Sequence, residues 1–141
     1  MWRTLALAGT LFLTAPLAVS AQSTAGHVYQ IIEWRALPGH ADAYSQSYHD
    51  FLRPIWSEVV RRGGMVGYTD LTKQSGDTPG THLLLVEWAN QATFESWGEA
   101  LDAASRSVTG RPWAQVSEEV FLPLRGPTQV RAEVYVAPPG R

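Results

Sequence analysis

The 141-residue chain contains 11 basic and 13 acidic side chains, a formal net charge of −2 and no cysteine. The missing cysteines exclude thiol catalysis, disulfides, iron–sulfur clusters and cysteine-ligated zinc. The basic residues are scattered, whereas nucleic-acid binding normally requires a clustered basic face, so we expect no nucleic-acid partner.

The N-terminus has the pattern of a secretory signal peptide. Arg3 gives a short basic start, residues 5–19 are nearly all apolar or small, and Val19-Ser20-Ala21 supplies small residues before a cleavage point. The run is shorter than the roughly 20 apolar residues of a membrane-spanning helix. We therefore predict cleavage after Ala21 and an exported protein, periplasmic or secreted, with no membrane attachment afterwards. Residues 22–141 would form a single domain.

Val28–Arg35 is rich in β-branched and aromatic residues and predicts a first strand. In the segment Ala41–Arg62, apolar residues then recur at spacings of three and four, which predicts an amphipathic helix. Pro54 lies inside this helix, so we expect a kink or break near residues 51–53. Gly63-Gly64 ends it.

A β-hairpin follows the first helix. Met65–Thr72 and Thr81–Trp88 are the predicted second and third strands, and the polar segment 73–80 is the loop between them.

The next segments predict two further helical pieces. Asn90 is a suitable N-cap for a helix whose apolar positions include Phe94 and Leu101. Pro112 fits the first position of a short helix that continues through Val120. Leu122-Pro123-Leu124 is predicted to be a loop.

The last predicted strand, Gln129–Val136, alternates cleanly between valine or alanine and polar residues, which is typical of a half-buried strand. The resulting order, β-α-β-β-α-β, predicts a ferredoxin-like α+β fold with an antiparallel four-stranded sheet and helices on one face. The third strand is apolar on both faces, as strands buried on both sides are. We therefore expect a second subunit to cover the free face of the sheet.

The chain resembles the dimeric α/β-barrel superfamily, which includes antibiotic-biosynthesis-monooxygenase-like, EthD-like and NIPSNAP-like domains. The resemblance rests on the first strand leading into Leu37-Pro38-Gly39-His40, on Val86-Glu87-Trp88 at the end of the hairpin, and on the capped helix from Asn90 to Trp97. It implies a homodimer whose sheets pack face to face, with a cavity between sheet and helices in each subunit. Members include cofactor-free oxygenases, haem-degrading enzymes and isomerases. No stretch matches the catalytic motif of one branch.

Three aromatic residues are candidates for the cavity wall. Trp34 and Trp88 end neighbouring strands, and Tyr68 lies in the second strand, so together they would suit a flat apolar or aromatic ligand. The alternative is that they serve core or interface packing. Glu33 and Glu87 precede the two tryptophans, and a carboxylate pair there depends on the strand register.

Two of the four histidines are further candidates. His49 lies at the edge of the apolar stripe of the first helix, and His82 shares a strand face with apolar residues. Either one, if it faced the cavity, would serve as a base or an axial haem ligand, whereas the simpler interpretation is a packed boundary or core residue. No metal-ligand spacing, phosphate loop or serine-hydrolase elbow occurs.

The sequence therefore predicts an exported small-molecule-binding protein or cofactor-independent monooxygenase-like enzyme. Its cavity would be apolar and aromatic, and no cofactor is expected. A non-catalytic dimeric structural or interaction module is the alternative, and a haem-binding or haem-degrading protein is a narrower one. Free space with polar groups that orient a ligand would favour the first interpretation, whereas a cavity filled by its own aromatic rings would favour the second.

Overall fold

The computed structural model describes residues 26–72, 81–126 and 131–138. Its strands are β1 (Val28–Arg35), β2 (Gly67–Thr72), β3 (Thr81–Trp88) and β4 (Arg131–Val136). Its α-helices are α1 (Ala41–Ser47), α2 (Arg53–Arg61), α3 (Gln91–Glu95), α4 (Trp97–Thr109), α5 (Trp113–Val116) and α6 (Leu122–Arg125). The predicted signal peptide and the whole loop 73–80 lie outside the described residues.

The four strands form one sheet in the order β2-β3-β1-β4, and every neighbouring pair is antiparallel. This order places β1 and β3 in the centre, with β2 and β4 at the two edges. The ferredoxin-like α+β fold predicted from the sequence is confirmed. β1 and β3 have the predicted bounds, and β2 begins two residues later than predicted.

Pairing of β1 with β3 decides which side chains meet. Trp34 is opposite His82 at one end of the strands, and Val28 is opposite Trp88 at the other. Directly paired residues lie on the same face of an antiparallel sheet, so all four of these side chains are on the helix-covered face. The two tryptophans, however, are at opposite ends of it.

The first helical segment is interrupted as Pro54 predicts. A π-helical turn, Tyr48–Leu52, separates α1 from α2, and the Arg53 N–H donates to the Tyr48 carbonyl, five residues back. Proline has no N–H to donate, so it is tolerated in the first turn of α2 but would break the interior of a continuous helix. The interruption shifts the helix face by about one residue where it meets the sheet.

Asn90 caps α3 as predicted. Its side chain accepts a hydrogen bond from the Thr93 N–H at 3.0 Å, and the Thr93 hydroxyl lies 3.2 Å from the Asn90 N–H, which completes a capping box. The predicted single helix is divided at Ser96 into α3 and α4.

The prediction of a loop at Leu122-Pro123-Leu124 is wrong. After α5, a π-helical turn, Ser117–Phe121, continues directly into α6, and Pro123 lies in the first turn of α6, where its missing N–H costs nothing. This continuous helical segment carries Phe121, which is fully buried, and the nearly buried Arg125 towards the sheet.

The valine face of β4 is not half-buried as predicted. Val134 and Val136 are 48% and 62% exposed, because β4 is an edge strand and the described helices do not cover it. On the opposite face of the sheet, Leu71 and Leu85 are also exposed, at 54% and 37%. Apolar surface therefore remains open at the edge and on the free face of the sheet.

The core lies between the helix-covered face and the helices. Strands β1 and β3 contribute alternate residues, and the first helical segment contributes one stripe. The fully or nearly buried members include Val28, Ile32, Leu84, Val86, Tyr44, Tyr48, Ile55, Val59, Leu101, Val116 and Phe121. Removal of a side chain such as Phe121 would cost about 3–5 kcal/mol.

Candidate functional site

A cavity of about 350 Å³ lies between the helix-covered face of the sheet and the helices. This volume is at the small end of the range for small-molecule sites, about 300–1,000 Å³. Its walls are mainly aromatic and aliphatic. They are formed by Gln30, Ile32, Trp34, Tyr48, Leu52, Trp56, His82, Leu84, Trp97, Leu101, Trp113, Ser117, Phe121, Leu122 and Arg125.

The sheet positions part of this wall through its register. Ile32 pairs with Leu84, and Trp34 pairs with His82, so these four side chains stand side by side on one face. Strand alternation brings every second residue of β1 to this face, and Gln30 is the next along it. His82 thus lies in a part of the wall where its neighbours Ile32, Trp34 and Leu84 are apolar.

His82 is the titratable group at the centre of this wall. It is 2% exposed, and its ring stacks on Tyr48, with centroids 4.4 Å apart and planes at 14°. Tyr44 meets the same ring edge-on, with the centroids 5.3 Å apart. The two tyrosines therefore hold the imidazole in one plane.

Polar groups flank both nitrogens of His82. Nδ1 lies 3.4 Å from Oδ1 of Asp70, and Nε2 lies 3.2 Å from Oγ of Ser45. An ionised carboxylate can only accept hydrogen bonds, so this arrangement assigns the proton of the neutral ring to Nδ1. Nε2 is then the basic nitrogen, and the Ser45 hydroxyl donates to it. A histidine ordered by a carboxylate in this way is equipped for proton transfer.

Arg125 is a second functional group of the wall that sequence analysis missed. It is 9% exposed, and its guanidinium carbon lies 3.4 Å from the centroid of the Trp34 ring. Nη1 donates to the carbonyl of the next residue, Gly126, at 3.2 Å. Burial lowers the pKa of Arg125 from its ordinary value, while the nearby Tyr44 opposes this change. Its only sequence signal is its position between apolar residues and a glycine.

Several buried polar atoms have no hydrogen-bond partner among the described residues. They are Gln30 Oε1, the hydroxyls of Tyr44 and Tyr48, and the indole nitrogens of Trp56 and Trp88. Burial, with a smaller contribution from the nearby Asp70, raises the pKa of both tyrosines far above its ordinary value, so both are neutral phenols. Native proteins leave few such atoms unsatisfied, and three of these five residues line the cavity.

The structure brings two of the five predicted cavity residues together. Trp34 and His82 stand next to each other on the wall, whereas His49 is exposed on the π-helical turn, with its ring edge-on to that of Tyr48. The prediction for His49 assumed a regular α-helix, whereas His49 lies in the π-helical turn, where side chains point in different directions.

Tyr68 and Trp88 lie outside the cavity wall. The Tyr68 hydroxyl is within 3.0 Å of Ser57 Oγ and donates to the Arg53 carbonyl at 3.2 Å. Trp88 is buried at the far end of β3, where it packs edge-on against Phe94. Neither contacts the His82 end of the sheet.

Glu33 and Glu87 do not form a carboxylate pair. Glu33 is opposite Leu83 and Glu87 is opposite Tyr29, so four residues of β1 separate them, about 13 Å along the strand. Glu87 instead accepts hydrogen bonds from Tyr29 at 3.2 Å and contacts His27.

As an axial haem ligand, His82 would bind the iron through Nε2. That nitrogen lies 3.2 Å from Oγ of Ser45, so an iron there would have to displace the hydroxyl. In residues 26–72, 81–126 and 131–138, no group of three or more histidine or acidic side chains could hold a metal ion. No helix in this part of the chain is long and apolar enough to span a membrane.

Comparison with known proteins gives matches by structure alone. No family model matches the sequence, and no curated protein matches it. An antibiotic biosynthesis monooxygenase-like protein from Chloroflexus aurantiacus is similar, with 16% identity, a TM-score of 0.52, and coverage of 82% of this chain and 96% of that one. SnoaB, a cofactor-independent oxygenase from Streptomyces nogalater, has 14% identity and a TM-score of 0.52, covering 80% and 94%.

A NIPSNAP-like domain protein from Burkholderia xenovorans also matches, at 14% identity and a TM-score of 0.50, with 82% and 86% coverage. Likeness at such identities shows the fold alone. These neighbours include the antibiotic-biosynthesis-monooxygenase-like and NIPSNAP-like proteins that the sequence resemblance names, and the predicted fold is confirmed.

Proposed function

We propose that this protein binds a flat, apolar or aromatic molecule in its cavity and oxygenates it without a cofactor. The observation that carries the proposal is the position of His82: it lines the cavity beside Trp34, and its Nδ1 contacts Asp70. A neighbour of the same fold is a cofactor-independent oxygenase, which supports this choice of reaction class.

An oxygenase without a cofactor needs a substrate that supplies the electrons itself. Deprotonation of a CH₂ group flanked by aryl rings and conjugated to a carbonyl gives an electron-rich carbanion, which O₂ can oxidise. The complete reaction, R₂CH₂ + O₂ → R₂C=O + H₂O, transfers four electrons from carbon to the two oxygen atoms. The substrate displaces the Ser45 hydroxyl, which lies 3.2 Å from Nε2 of His82, and Nε2 then accepts the substrate proton, which leaves in the water formed.

The surrounding residues fit this role. Asp70 keeps the proton on Nδ1 and stabilises the imidazolium that forms when Nε2 is protonated. The apolar walls exclude water, which would otherwise quench the carbanion. The buried indole of Trp56, in the same wall, offers an N–H donor that no described residue accepts.

The test uses anthrone, whose CH₂ lies between two aryl rings and conjugates with a carbonyl. We expect residues 22–141 to consume O₂ and form anthraquinone faster than buffer does, as followed by an oxygen electrode and by absorbance. His82→Asn should reduce the rate about 100-fold or more, since a general base contributes about 10²–10⁴-fold. His49→Asn, an exposed histidine, is the matched control and should keep the wild-type rate.

Unchanged turnover in His82→Asn, or no acceleration by the wild type, would contradict the oxygenase. Calorimetric titration with anthraquinone then separates the two remaining functions. Binding without turnover supports a ligand-binding protein, and no binding supports the non-catalytic module.

We also propose a homodimer formed through the free face of the sheet. Leu71 and Leu85 present apolar surface there, and the half-buried Leu83 and Ile31 lie beside them on the same face. Burial of such surface is favourable at about 25 cal/mol per Å². A second copy, with its own apolar face, is the occupant that the fold resemblance implies.

Export completes the proposal, because residues 5–19 are nearly all apolar or small and Val19-Ser20-Ala21 is suited to cleavage. The mass of the protein recovered from the periplasm or medium of an expressing bacterium tests it. A chain that begins at Gln22 is expected, and an intact chain retained with the cells would contradict export.

A further inference from the structure

We propose that Arg125 and Trp34 form a subsite for a carboxylate, so that the ligand of the cavity is a planar aromatic acid. The inference rests on the proposed function in one respect, that the cavity takes a ligand. It is independent of whether His82 then acts on that ligand.

The first argument is the burial of a charge without a partner. Arg125 is 9% exposed, and no carboxylate of the described residues lies within salt-bridge distance of it. The following residues, 127–130, contain no acidic side chain. Arginine is almost never fully buried unless it is paired, because desolvation of the cation is costly. An anion that enters the cavity would remove this cost.

The second argument is the geometry of the guanidinium. Trp34 covers it at 3.4 Å, so stacking fixes the group without using its N–H donors. Among the described residues, one acceptor uses one of its five donors, the Gly126 carbonyl bound by Nη1. A stacked guanidinium with free donors along its edge presents the fork that binds a carboxylate through two parallel hydrogen bonds.

The third argument is the position of the subsite in the cavity. Trp34 is directly opposite His82 in the sheet, and Arg125 lies on the Trp34 ring. A carboxylate held by Arg125 therefore places the attached ring system along the aromatic wall, with its near part close to His82. The walls beyond, which include Trp97, Trp113 and Phe121, are apolar and suit an uncharged ring.

The probes for the test are 2-naphthoate and its neutral, nearly isosteric amide, 2-naphthamide, in calorimetric titrations of residues 22–141. We expect the wild type to bind the acid about 10- to 100-fold more tightly than the amide, as charge-assisted hydrogen bonds contribute. The preference should persist between about 0.05 and 0.5 M salt, because a buried pair is weakly screened.

Arg125→Met keeps much of the length of the side chain and removes its charge. This variant should bind both probes equally, with affinity for the amide unchanged. Arg125→Lys keeps the charge but loses the fork, and an intermediate preference is expected. Arg106→Met, which changes an exposed arginine paired with Asp102, is the matched control and should keep the full preference.

Equal binding of the two probes by the wild type would overturn the subsite while leaving a ligand cavity in place. If the preference for the acid survives in Arg125→Met, or disappears at high salt, it arises from surface charge, and the subsite is overturned as well. Absence of naphthoate binding by the wild type would also overturn it. Because the wild-type comparison needs no variant, the proposal remains falsifiable even if Arg125→Met does not fold. Loss of anthrone turnover in His82→Asn, with naphthoate binding retained, separates the two proposals.

Discussion

The imidazole of His82 lies almost parallel to the phenol ring of Tyr48, with the two ring centroids 4.4 Å apart and the ring planes at 14°. This stack and the edge of Tyr44 fix the ring plane, so that Asp70 and Ser45 can meet its two nitrogens from opposite sides. The orientation of the base thus depends on packing in the core as much as on its hydrogen bonds.

Two substitutions of Tyr48 separate its ring from its hydroxyl. Tyr48→Phe keeps the stack and removes a buried hydroxyl that is near Asp70 but makes no hydrogen bond of good geometry with the described residues, so we expect unfolding free energy that is unchanged or raised by up to about 1 kcal/mol. Tyr48→Leu loses the ring and should destabilise the protein by about 1–3 kcal/mol. Urea denaturation measures both. A loss of more than about 1 kcal/mol in Tyr48→Phe would show that the hydroxyl has a partner.

Asp70→Asn tests the tautomer of His82. An amide can donate as well as accept, so the proton no longer has to lie on Nδ1, and Nε2 loses basic character. We expect anthrone turnover to fall about 100-fold or more and the ¹⁵N spectrum of His82 to show a changed tautomer. Asp42→Asn, an exposed acid on α1, is the control. A wild-type spectrum in Asp70→Asn would contradict the assignment of the proton.

Ser117→Phe tests whether the cavity holds the ligand. Ser117 is half-buried in the cavity wall, and a phenyl ring there would occupy part of the 350 Å³ without removing a core side chain. We expect binding of 2-naphthamide to weaken at least about 10-fold, with a loss of stability below about 2 kcal/mol. Ser107→Phe, on the exposed side of α4, should bind normally. Normal binding by Ser117→Phe would place the ligand elsewhere.

The fold was predictable because its signals are local. β1 is rich in β-branched and aromatic residues, and β3 contains a run of apolar ones. Pro54 lacks an N–H donor, and the Asn90 side chain supplies an acceptor, so each determines local helix geometry. Such features depend on neighbours in the sequence. The later helical segment was harder, since Pro123 is compatible both with a loop and with a first helical turn.

The site was less predictable because its contacts join distant residues. Ser45 and Asp70 reach His82 across 37 and 12 residues of sequence, and no spacing rule links them. Arg125 was missed because an arginine in a sequence ordinarily indicates a solvent-exposed position. The separation of Trp34 from Trp88, in contrast, follows from antiparallel pairing. Each tryptophan lies near the C-terminal end of its strand, and the C-terminal ends of adjacent antiparallel strands point in opposite directions.

Glu58 predicts a pH dependence of stability. Hydrogen bonds from Arg61 lower its pKa from 4.5 to about 2, with further contributions from Ser107 and Arg62. A carboxyl whose pKa is lower in the folded state stabilises the protein above its unfolded pKa, and this contribution is lost as the pH falls from about 4.5 to 2.

We therefore expect Glu58→Gln to lose less stability than the wild type between pH 6 and pH 3, measured as the urea midpoint. Glu118→Gln, which changes an exposed glutamate of the π-helical turn before α6, should follow the wild type. Parallel curves for the wild type and Glu58→Gln would show that the Glu58 contacts do not persist in solution.

Leu85→Glu tests the dimer through the free face of the sheet. Leu85 is 37% exposed in the single chain and lies in the central strand β3, so a dimer formed there would bury a glutamate without a partner, at a cost of several kcal/mol. Light scattering coupled to size exclusion should give a dimer for the wild type and a monomer for Leu85→Glu. Val108→Glu, with a similarly exposed residue on α4, should remain a dimer.

A dimeric Leu85→Glu would move the interface to another surface, of which the exposed valines of β4, Val134 and Val136, are the next candidate. A monomeric wild type would show that the apolar free face is solvent-exposed in the functional protein.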